Sequence, residues 1–161
     1  MYDGNGSTGG SVPAVSTGHN YNTVVTVLGN TNSLVKTGYT FAGWNTATDG
    51  SGTVYVATNT FTIATSDVTL YAQWTINSYN VSYDGNGSTG GSVPAGTIAY
   101  NYNTAVTVLG NTNTFVKTGY TFAGWNTAAD GSSTAYIATN TFNMVRLMLR
   151  CMPSGLLIHT M

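Results

Sequence analysis

Side chains that could carry acid–base or nucleophilic chemistry are scarce in this sequence. Its 161 residues include five Asp, no Glu, four Lys or Arg, two His and one Cys. Catalysis needs a nucleophile beside a base, or two carboxylates that converge on one substrate. His19 is replaced by Tyr100 at the matching position of an internal repeat, and His159 lies near the carboxyl terminus. Because a Ser/His/Asp site would lack a recurrent histidine, we expect no enzyme activity.

Two short segments superficially resemble calcium-binding loops. Residues 3–6 read Asp-Gly-Asn-Gly, and residues 49–52 read Asp-Gly-Ser-Gly. A good calcium loop needs several carboxylates around one ion, whereas each of these segments has one. Asp-Gly and Asn-Gly are also ordinary turn signals. We therefore expect turns at both places, with neither a metal ion nor a cofactor.

Aromatic residues offer a third kind of chemistry, the stacking of sugars on exposed rings. The candidate ligand-contact residues are Trp44, Trp125, Tyr39 and Tyr120, which form two equivalent pairs in the internal repeat. Trp and Tyr are also ordinary core and cross-strand residues of β-structure. We favour packing in the core and keep the sugar platform as the alternative.

Charge is unusually low and excludes several classes of function. Only 6% of the residues are charged, against about 25% in typical globular proteins. The net charge of −1 gives no field that would attract nucleic acid or an anionic membrane surface. No apolar run is long enough to span a bilayer, so we expect no membrane insertion and place any export signal outside this sequence.

The sequence is an internal duplication with an offset of 81 residues. Residues 2–61 align without a gap with residues 83–142, and roughly 48 of these 60 positions are identical. Differences such as Leu34 against Phe115 and Val56 against Ile137 keep an apolar residue apolar, as expected for inward positions. The densest variation, residues 15–19 against 96–100, predicts a loop.

Alternating apolar residues predict that each copy is made of strands. Tyr79, Val81 and Tyr83 alternate with Asn80 and Ser82. Residues 106–109, 120–126 and 68–74 show similar strand signals, and Asp-Gly or Asn-Gly breaks separate them. No segment has the pattern of a long amphipathic helix, although a helical turn is plausible at residues 31–35 and 112–116.

The two ends of the duplication depart from its pattern. Only Met1 precedes Tyr2, whereas residues 79–82 precede Tyr83. After Met144 the repeat is lost, and this tail holds both Arg, the only Cys and three of the five Met. Codons can be chosen for the tail that, after one restored nucleotide, encode residues 64–80 with a single change. We therefore predict a frameshift product in the tail.

These observations predict three segments. Residues 1–77 form an amino-terminally clipped module that lacks its first strand. Residues 78–144 form an incomplete module that lacks its last strand, and residues 145–161 form the aberrant tail. Direct joining of the modules is typical of a semi-rigid array.

Several motifs together resemble the Listeria–Bacteroides repeat, the internalin B B-repeat family. They are the opening Tyr-Asp-Gly-Asn-Gly at residues 2–6, Lys-Thr-Gly-Tyr-Thr-Phe-Ala-Gly-Trp-Asn at residues 36–45, Asp-Gly at residues 49–50 and Asp-Val-Thr-Leu-Tyr-Ala-Gln-Trp at residues 67–74. The resemblance implies a mostly β (α+β) fold of two small β-grasp-like modules in tandem on a bacterial envelope protein. It brings no catalytic residues.

The resemblance and the composition together predict a structural or interaction protein at the cell envelope or cell surface, outside the cell. The leading expectation is a non-catalytic spacer or adhesion-supporting stalk, with other repeats of the same chain as neighbours. The alternative is an adhesin module that binds a carbohydrate or a host protein, with a glycan or a surface protein of the host or a neighbouring cell as partner. A hydrolase accessory domain is a third class and would need a catalytic neighbour.

Overall fold

The chain folds as two units, Met1–Asn77 and Ser78–Met161. The structure is a computed structural model that describes residues 1–14, 18–96, 98–145 and 150–153. Every regular element in these residues is a β-strand, and they contain no helix. The prediction of a mostly β fold is therefore confirmed, while the β-grasp assignment and the three-segment division stay predictions.

The strands of the first unit form a four-stranded sheet and a separate two-stranded pair. In chain order they are β1 (Tyr2–Asp3), β2 (Val24–Thr26), β3 (Tyr39–Asn45), β4 (Val54–Tyr55), β5 (Thr60–Thr62) and β6 (Leu70–Ile76). The order in the larger sheet is β1-β6-β3-β4, and β2 pairs with β5. β1 runs parallel to β6, which places the first and last strands of the unit side by side.

A β-bulge shapes the central pair of the first sheet. β3 and β6 are antiparallel, and their register shifts between Phe41 and Gly43. Gly43 has a φ of 138°, which residues with a side chain rarely adopt. A Cβ atom at this position would also lie 3.0 Å from the carbonyl oxygen of Tyr55 in the neighbouring strand β4. Glycine is thus required where the bulge turns Trp44 towards the core.

Among its described residues, the second unit contains eight strands in one four-stranded sheet and two pairs. They are β7 (Ser78–Asn80), β8 (Ser82–Tyr83), β9 (Ala99–Asn101), β10 (Ala105–Thr107), β11 (Trp125–Asn126), β12 (Ala135–Tyr136), β13 (Thr141–Asn143) and β14 (Arg150–Pro153). The larger sheet has the order β12-β11-β14-β8, while β10 pairs with β13 and β7 pairs with β9. β7 lies just before β8 in the second unit, and Met1 precedes β1 in the first.

The expectation that the second unit lacks its last strand is corrected by β14. Its backbone pairs in parallel with β8 and antiparallel with β11, as β6 pairs with β1 and β3. Cys151 lies opposite Tyr83, and Leu70 lies opposite Tyr2, so the offset of 81 persists into the tail. Strand pairing uses backbone N–H and C=O groups, which every non-proline residue supplies. An altered sequence at the same distance along the chain can therefore occupy the same place.

Two local expectations also differ from the structure. The variable loop was predicted through Tyr100, but Tyr100 belongs to β9 and lies opposite Tyr79 of β7. Residues 15–17 and 97 of that predicted loop lie outside the described residues. Residues 31–35 and 112–116 form turns and isolated bridges rather than a helical turn.

Each unit buries an aromatic and aliphatic core of its own. In the first unit the core cluster of buried residues contains Tyr2, Val27, Leu34, Trp44, Leu70 and Ala72. In the second they are Val81, Tyr83, Val106, Val108, Phe115, Trp125 and Met144. Leu70 and Ala72 are buried on one face of β6 and Trp74 is half-buried, as the alternation of residues 68–74 predicts.

A buried asparagine closes the turn after each tryptophan. Asn45 is 0% exposed, and its Nδ2 donates to the carbonyl oxygens of Gly50 and Gly52. Its Oδ1 accepts from the backbone N–H of Ala47 at 2.8 Å. Asn126 makes the equivalent three contacts in the second unit. The side chain thus holds a loop of the chain that follows β3 against the sheet.

Replacing Asn45 by Ala should destabilise the first unit by about 2 kcal/mol, because three backbone groups in partly buried hydrogen bonds lose their partner. The free energy of opening, measured by amide hydrogen exchange, should fall for amides of β3 and β6 and stay constant for β10 and β13. Thr48→Ala is the matched control, since the second unit carries Ala129 at that position. Equal opening free energies in Asn45→Ala and Thr48→Ala would contradict the assigned role.

Candidate functional site

The two indoles identified from the sequence lie inside the units. Trp44 and Trp125 are both 0% exposed. Trp44 Nε1 donates to the carbonyl oxygen of Leu28 at 2.9 Å, and Trp125 Nε1 donates to that of Leu109 at 2.7 Å. Their rings also pack on Tyr2 and Tyr83, with centroid separations of 4.6 and 4.7 Å. A sugar therefore has no access to either indole in this fold.

Tyr39 and Tyr120, the other two candidates, lie at the surface beside a lysine. Lys36 Nζ is 5.0 Å from the centre of the Tyr39 ring, and Lys117 Nζ is 4.7 Å from that of Tyr120. Tyr39 is half-buried and Tyr120 is 43% exposed. An ammonium group over an aromatic ring is attracted by the negative face of the ring. We call each combination a Lys–Tyr pair.

A tight turn positions the Lys–Tyr pair. The backbone N–H of Tyr39 donates to the carbonyl oxygen of Lys36 at 2.9 Å, and Gly38 between them has a φ of 80°. Lys36 Nζ also lies 3.4 Å from the carbonyl oxygen of Asn5, and the equivalent contact of Lys117 with Asn86 is 3.0 Å. The sequence Lys-Thr-Gly-Tyr therefore builds a small, partly exposed surface that presents an ammonium, a hydroxyl and a ring.

The Asp-containing turns hold their carboxylates with local hydrogen bonds. Asp49 Oδ1 accepts from the hydroxyl and the backbone N–H of Ser51, and Asp3 Oδ1 accepts from the N–H of Asn5. The Ser51 hydroxyl, followed by its N–H, lowers the pKa of Asp49 from its ordinary value of 3.8. Ser132 does the same for the pKa of Asp130.

Groups that could combine into a metal site are dispersed. Across the described ranges, no three His, Cys or Asp side chains come close enough together to hold an ion. His19 is exposed, and His159 lies outside the described residues. The arrangement thus offers isolated turns and polar surface groups.

The sequence analysis did not identify the lysines as partners of the candidate tyrosines. A signal was present in the spacing, because residues i and i+3 of a Gly-containing turn approach each other. The hydrogen-bonding role of the indoles was also missed. Burial of Trp usually requires a partner for its N–H, and a backbone carbonyl just beyond β2 or β10 supplies it here.

The fold and these sites define a class, namely small all-β modules repeated in tandem. The model of the Listeria-Bacteroides repeat domain matches residues 1–73 and 79–147. The chain therefore belongs to the Listeria-Bacteroides repeat family, and the resemblance found in its motifs is confirmed.

Relatives with curated descriptions are much longer proteins. A protein of Evansella cellulosilytica whose name describes a Gly-rich membrane protein is 44% identical over 124 residues, which are 74% of this chain and 14% of that protein. A second Evansella protein, whose name describes a membrane protein, is 45% identical over 51% of this chain and 12% of its own length. Internalin H of Listeria monocytogenes is 36% identical over 65% of this chain and 17% of its own length. The chain thus spans less than a fifth of each relative.

No solved structure matches the chain significantly. Within the described part of the chain, no helix has the length and apolar character needed to cross a bilayer.

Replacing Ser51 by Ala should raise the pKa of Asp49 towards 3.8, because the carboxylate loses its strongest hydrogen bond. A lowered folded-state pKa contributes stability above 3.8 that is lost as the pH falls through the folded-state value. The substitution should therefore reduce the acid resistance of the first unit. NMR measures the pKa of Asp49 from its carboxyl chemical shift as the pH is lowered from about 6 to about 2, a range that brackets the ordinary pKa of Asp. Asp130 in the same molecule is the control, and a parallel shift of both groups would contradict the assignment.

Proposed function

We propose that the chain is a non-catalytic repeat region of a bacterial cell-envelope protein, exposed at the cell surface, where it acts as a spacer or adhesion-supporting stalk. Membership of the repeat family and the similarity to part of internalin H support this proposal. The observation that carries it is the internal use of the aromatic residues. Trp44 and Trp125, the side chains best suited to ligand stacking, instead bond backbone carbonyls inside their own units.

The pairing of the first and last strands favours a load-bearing role. In the first unit β1 and β6 are parallel neighbours, so the amino-terminal end of one and the carboxyl-terminal end of the other point in opposite directions. Force applied through the two ends of the unit acts along these strands. Their hydrogen bonds then share the load instead of opening one after another.

Additional bonds reinforce this seam between β1 and β6. The amino group of Met1 donates to the carbonyl oxygen of Val68 at 2.7 Å, and the N–H of Leu70 donates to that of Met1 at 2.9 Å. Asn5 Nδ2 donates to Ala72 O at 2.8 Å, and Trp74 Nε1 donates to Gly4 O at 3.1 Å. Side chains on both sides of the seam thus extend a ladder that would otherwise be two residues long.

Single-molecule stretching of the full chain tests the stalk. Handles at positions 1 and 77 should unfold the first unit at a higher force than handles at positions 1 and 69, which lie at the same end of the seam and peel its bonds apart in turn. Asn5→Ala should lower the first force, because one cross-seam bond is lost, with Asn20→Ala as a surface control. Equal forces in the two pulling geometries would refute the load-bearing role.

The Lys–Tyr pair supports a second candidate, an adhesin module that binds a carbohydrate or a host protein. The pair recurs in both units with the same ammonium-over-ring arrangement. Partly exposed Tyr and Lys side chains provide a stacking surface and hydrogen-bond donors, which are the groups that recognise sugar hydroxyls. Two copies in one chain would add their weak affinities through multivalency.

A glycan array probed with the full chain tests this candidate. Combined Tyr39→Ala and Tyr120→Ala substitutions should reduce any bound signal by about tenfold or more, the loss expected when each site gives up about 1 kcal/mol. Tyr21→Ala with Tyr102→Ala is the matched control, since it also removes one tyrosine from each unit. The candidate fails if no glycan or host surface protein is retained, or if both double variants lose binding equally.

A further inference from the structure

The dipeptide Asn-Gly occurs twice in the sequence, at the same place in each copy of the repeat. Asn5-Gly6 follows β1, and Asn86-Gly87 follows β8. Asn5 has a φ of 45° and Gly6 a φ of 77°, while Asn86 and Gly87 have 45° and 79°. In Asn-Gly the backbone nitrogen of the glycine can reach the side-chain carbonyl carbon of the asparagine, because glycine has no Cβ in the way. Each turn is therefore a candidate for a covalent change within the chain.

A lysine contacts the peptide group that would react. Lys36 Nζ lies 3.4 Å from the carbonyl oxygen of Asn5, and Lys117 Nζ lies 3.0 Å from that of Asn86. Glycine permits this approach, because a Cβ atom on Gly6 would lie 3.3 Å from Lys36 Nζ. The oxygen of Asn5 and the nitrogen of Gly6 belong to one peptide bond. Removal of the proton from that nitrogen therefore places negative charge on the oxygen that the ammonium group contacts.

Hydrogen bonds restrain the Asn5 side chain in the first unit. Its Nδ2 donates to the carbonyl oxygens of Thr48 and Ala72, both at 2.8 Å. The side-chain carbon can bond to Gly6 N only after it turns away from these two carbonyls. Because the contact with Ala72 crosses the seam between β1 and β6, opening of the seam releases the side chain. The contact of Lys36 with Asn5 involves no residue of β6 and can persist in that state.

We propose that the asparagine of each Asn-Gly turn is a site of deamidation that the neighbouring lysine promotes. The ammonium group stabilises the negative charge of the attacking peptide group. In the first unit Gly6 N gives its proton to solvent and forms a bond to Asn5 Cγ. Nδ2 takes up a proton and leaves as ammonia, which produces a five-membered imide. Water then adds to one of the two imide carbonyls and breaks its bond to the nitrogen, which leaves aspartate or isoaspartate at position 5.

The product of this reaction weakens the unit that forms it. A carboxylate cannot donate to the carbonyl oxygens of Thr48 and Ala72, which now accept from Asn5 Nδ2. In isoaspartate the former side-chain carbons enter the main chain, which lengthens the turn. Each conversion thus removes a hydrogen bond across the seam irreversibly, whether or not the unit serves in a stalk.

Incubation of the folded full chain in mildly alkaline buffer, followed by peptide mass mapping, tests the proposal. Both Asn-Gly sites should show the mass of an amide-to-carboxylate conversion, with isoaspartate among the products. Lys36→Met should slow the conversion at Asn5 by about threefold, the size expected of an exposed charge interaction, and leave that at Asn86 unchanged. Lys117→Met should do the reverse, so each unit is the control for the other. Lys36→Arg should retain most of the rate, because it keeps the positive charge.

A purely structural role of the lysine predicts the opposite sign. Loss of the Lys36 contact would then loosen the turn and the seam, and Lys36→Met would speed the conversion at Asn5. Amide exchange of β1 and β6 in both proteins measures seam opening separately from the chemistry. A rate that is equal or faster in Lys36→Met, after correction for opening, would overturn the proposal. Conversion that occurs only in chains unfolded by denaturant would overturn it as well.

Discussion

Each unit depends on a pair of aromatic side chains that hydrogen-bond the backbone N–H and the backbone carbonyl of one leucine. The N–H of Leu28 donates to the hydroxyl of Tyr2 at 2.7 Å, while its carbonyl oxygen accepts from Trp44 Nε1 at 2.9 Å. This arrangement binds a residue just beyond β2 to β1 and β3. The rings bring apolar surface into the core, and their polar atoms satisfy backbone groups that would otherwise be buried without a partner. A chain with 6% charged residues thus leaves no buried side-chain nitrogen or oxygen without a hydrogen-bond partner in the residues that the structure describes.

The polar atoms of these buried aromatic residues bond the backbone of their own unit and are not available to a ligand. The same is true of Asn45 and Asn126, whose side-chain amides hydrogen-bond the neighbouring turns. The Lys–Tyr pair of each unit remains among the accessible side chains. The hydrogen bonds of the buried Trp and Asn side chains all lie within one unit. Because these bonds need no residue from a neighbouring unit, the module can be repeated in tandem and keep its fold. Repetition then supplies length, which is the property that a stalk requires.

The sequence predicted those parts of the fold that depend on side-chain pattern. Alternation predicted β6, the Asp-Gly signal predicted the turn at Asp49, and the duplication assigned equivalent positions for Trp44 and Trp125. The sequence did not predict the elements whose position depends on backbone hydrogen bonding. β14 forms in a tail whose residues do not follow the repeat, because its distance along the chain brings it to the open edges of β8 and β11. Tyr100 was assigned to a variable loop, but it pairs with Tyr79 in β9. The sequence favours core packing for the candidate rings, and Trp44 and Trp125 are buried as expected, whereas Tyr39 is half-buried and Tyr120 is exposed.

The duplication also shows how the burial of one residue depends on the chain packed against it. Val25 and Val106 are the same residue type at equivalent positions in two closely similar modules, yet the first is half-buried and the second is 1% exposed. The identical residue type cannot produce this difference, so its cause lies in what packs on it. In the second unit Val81 belongs to the cluster around Val106, and β7 holds the adjoining chain in place. In the first unit Val25 and His19 border a cavity, and His19 stands where the second unit has Tyr100. The burial of this valine position is therefore set by the chain that packs on it and not by the valine itself.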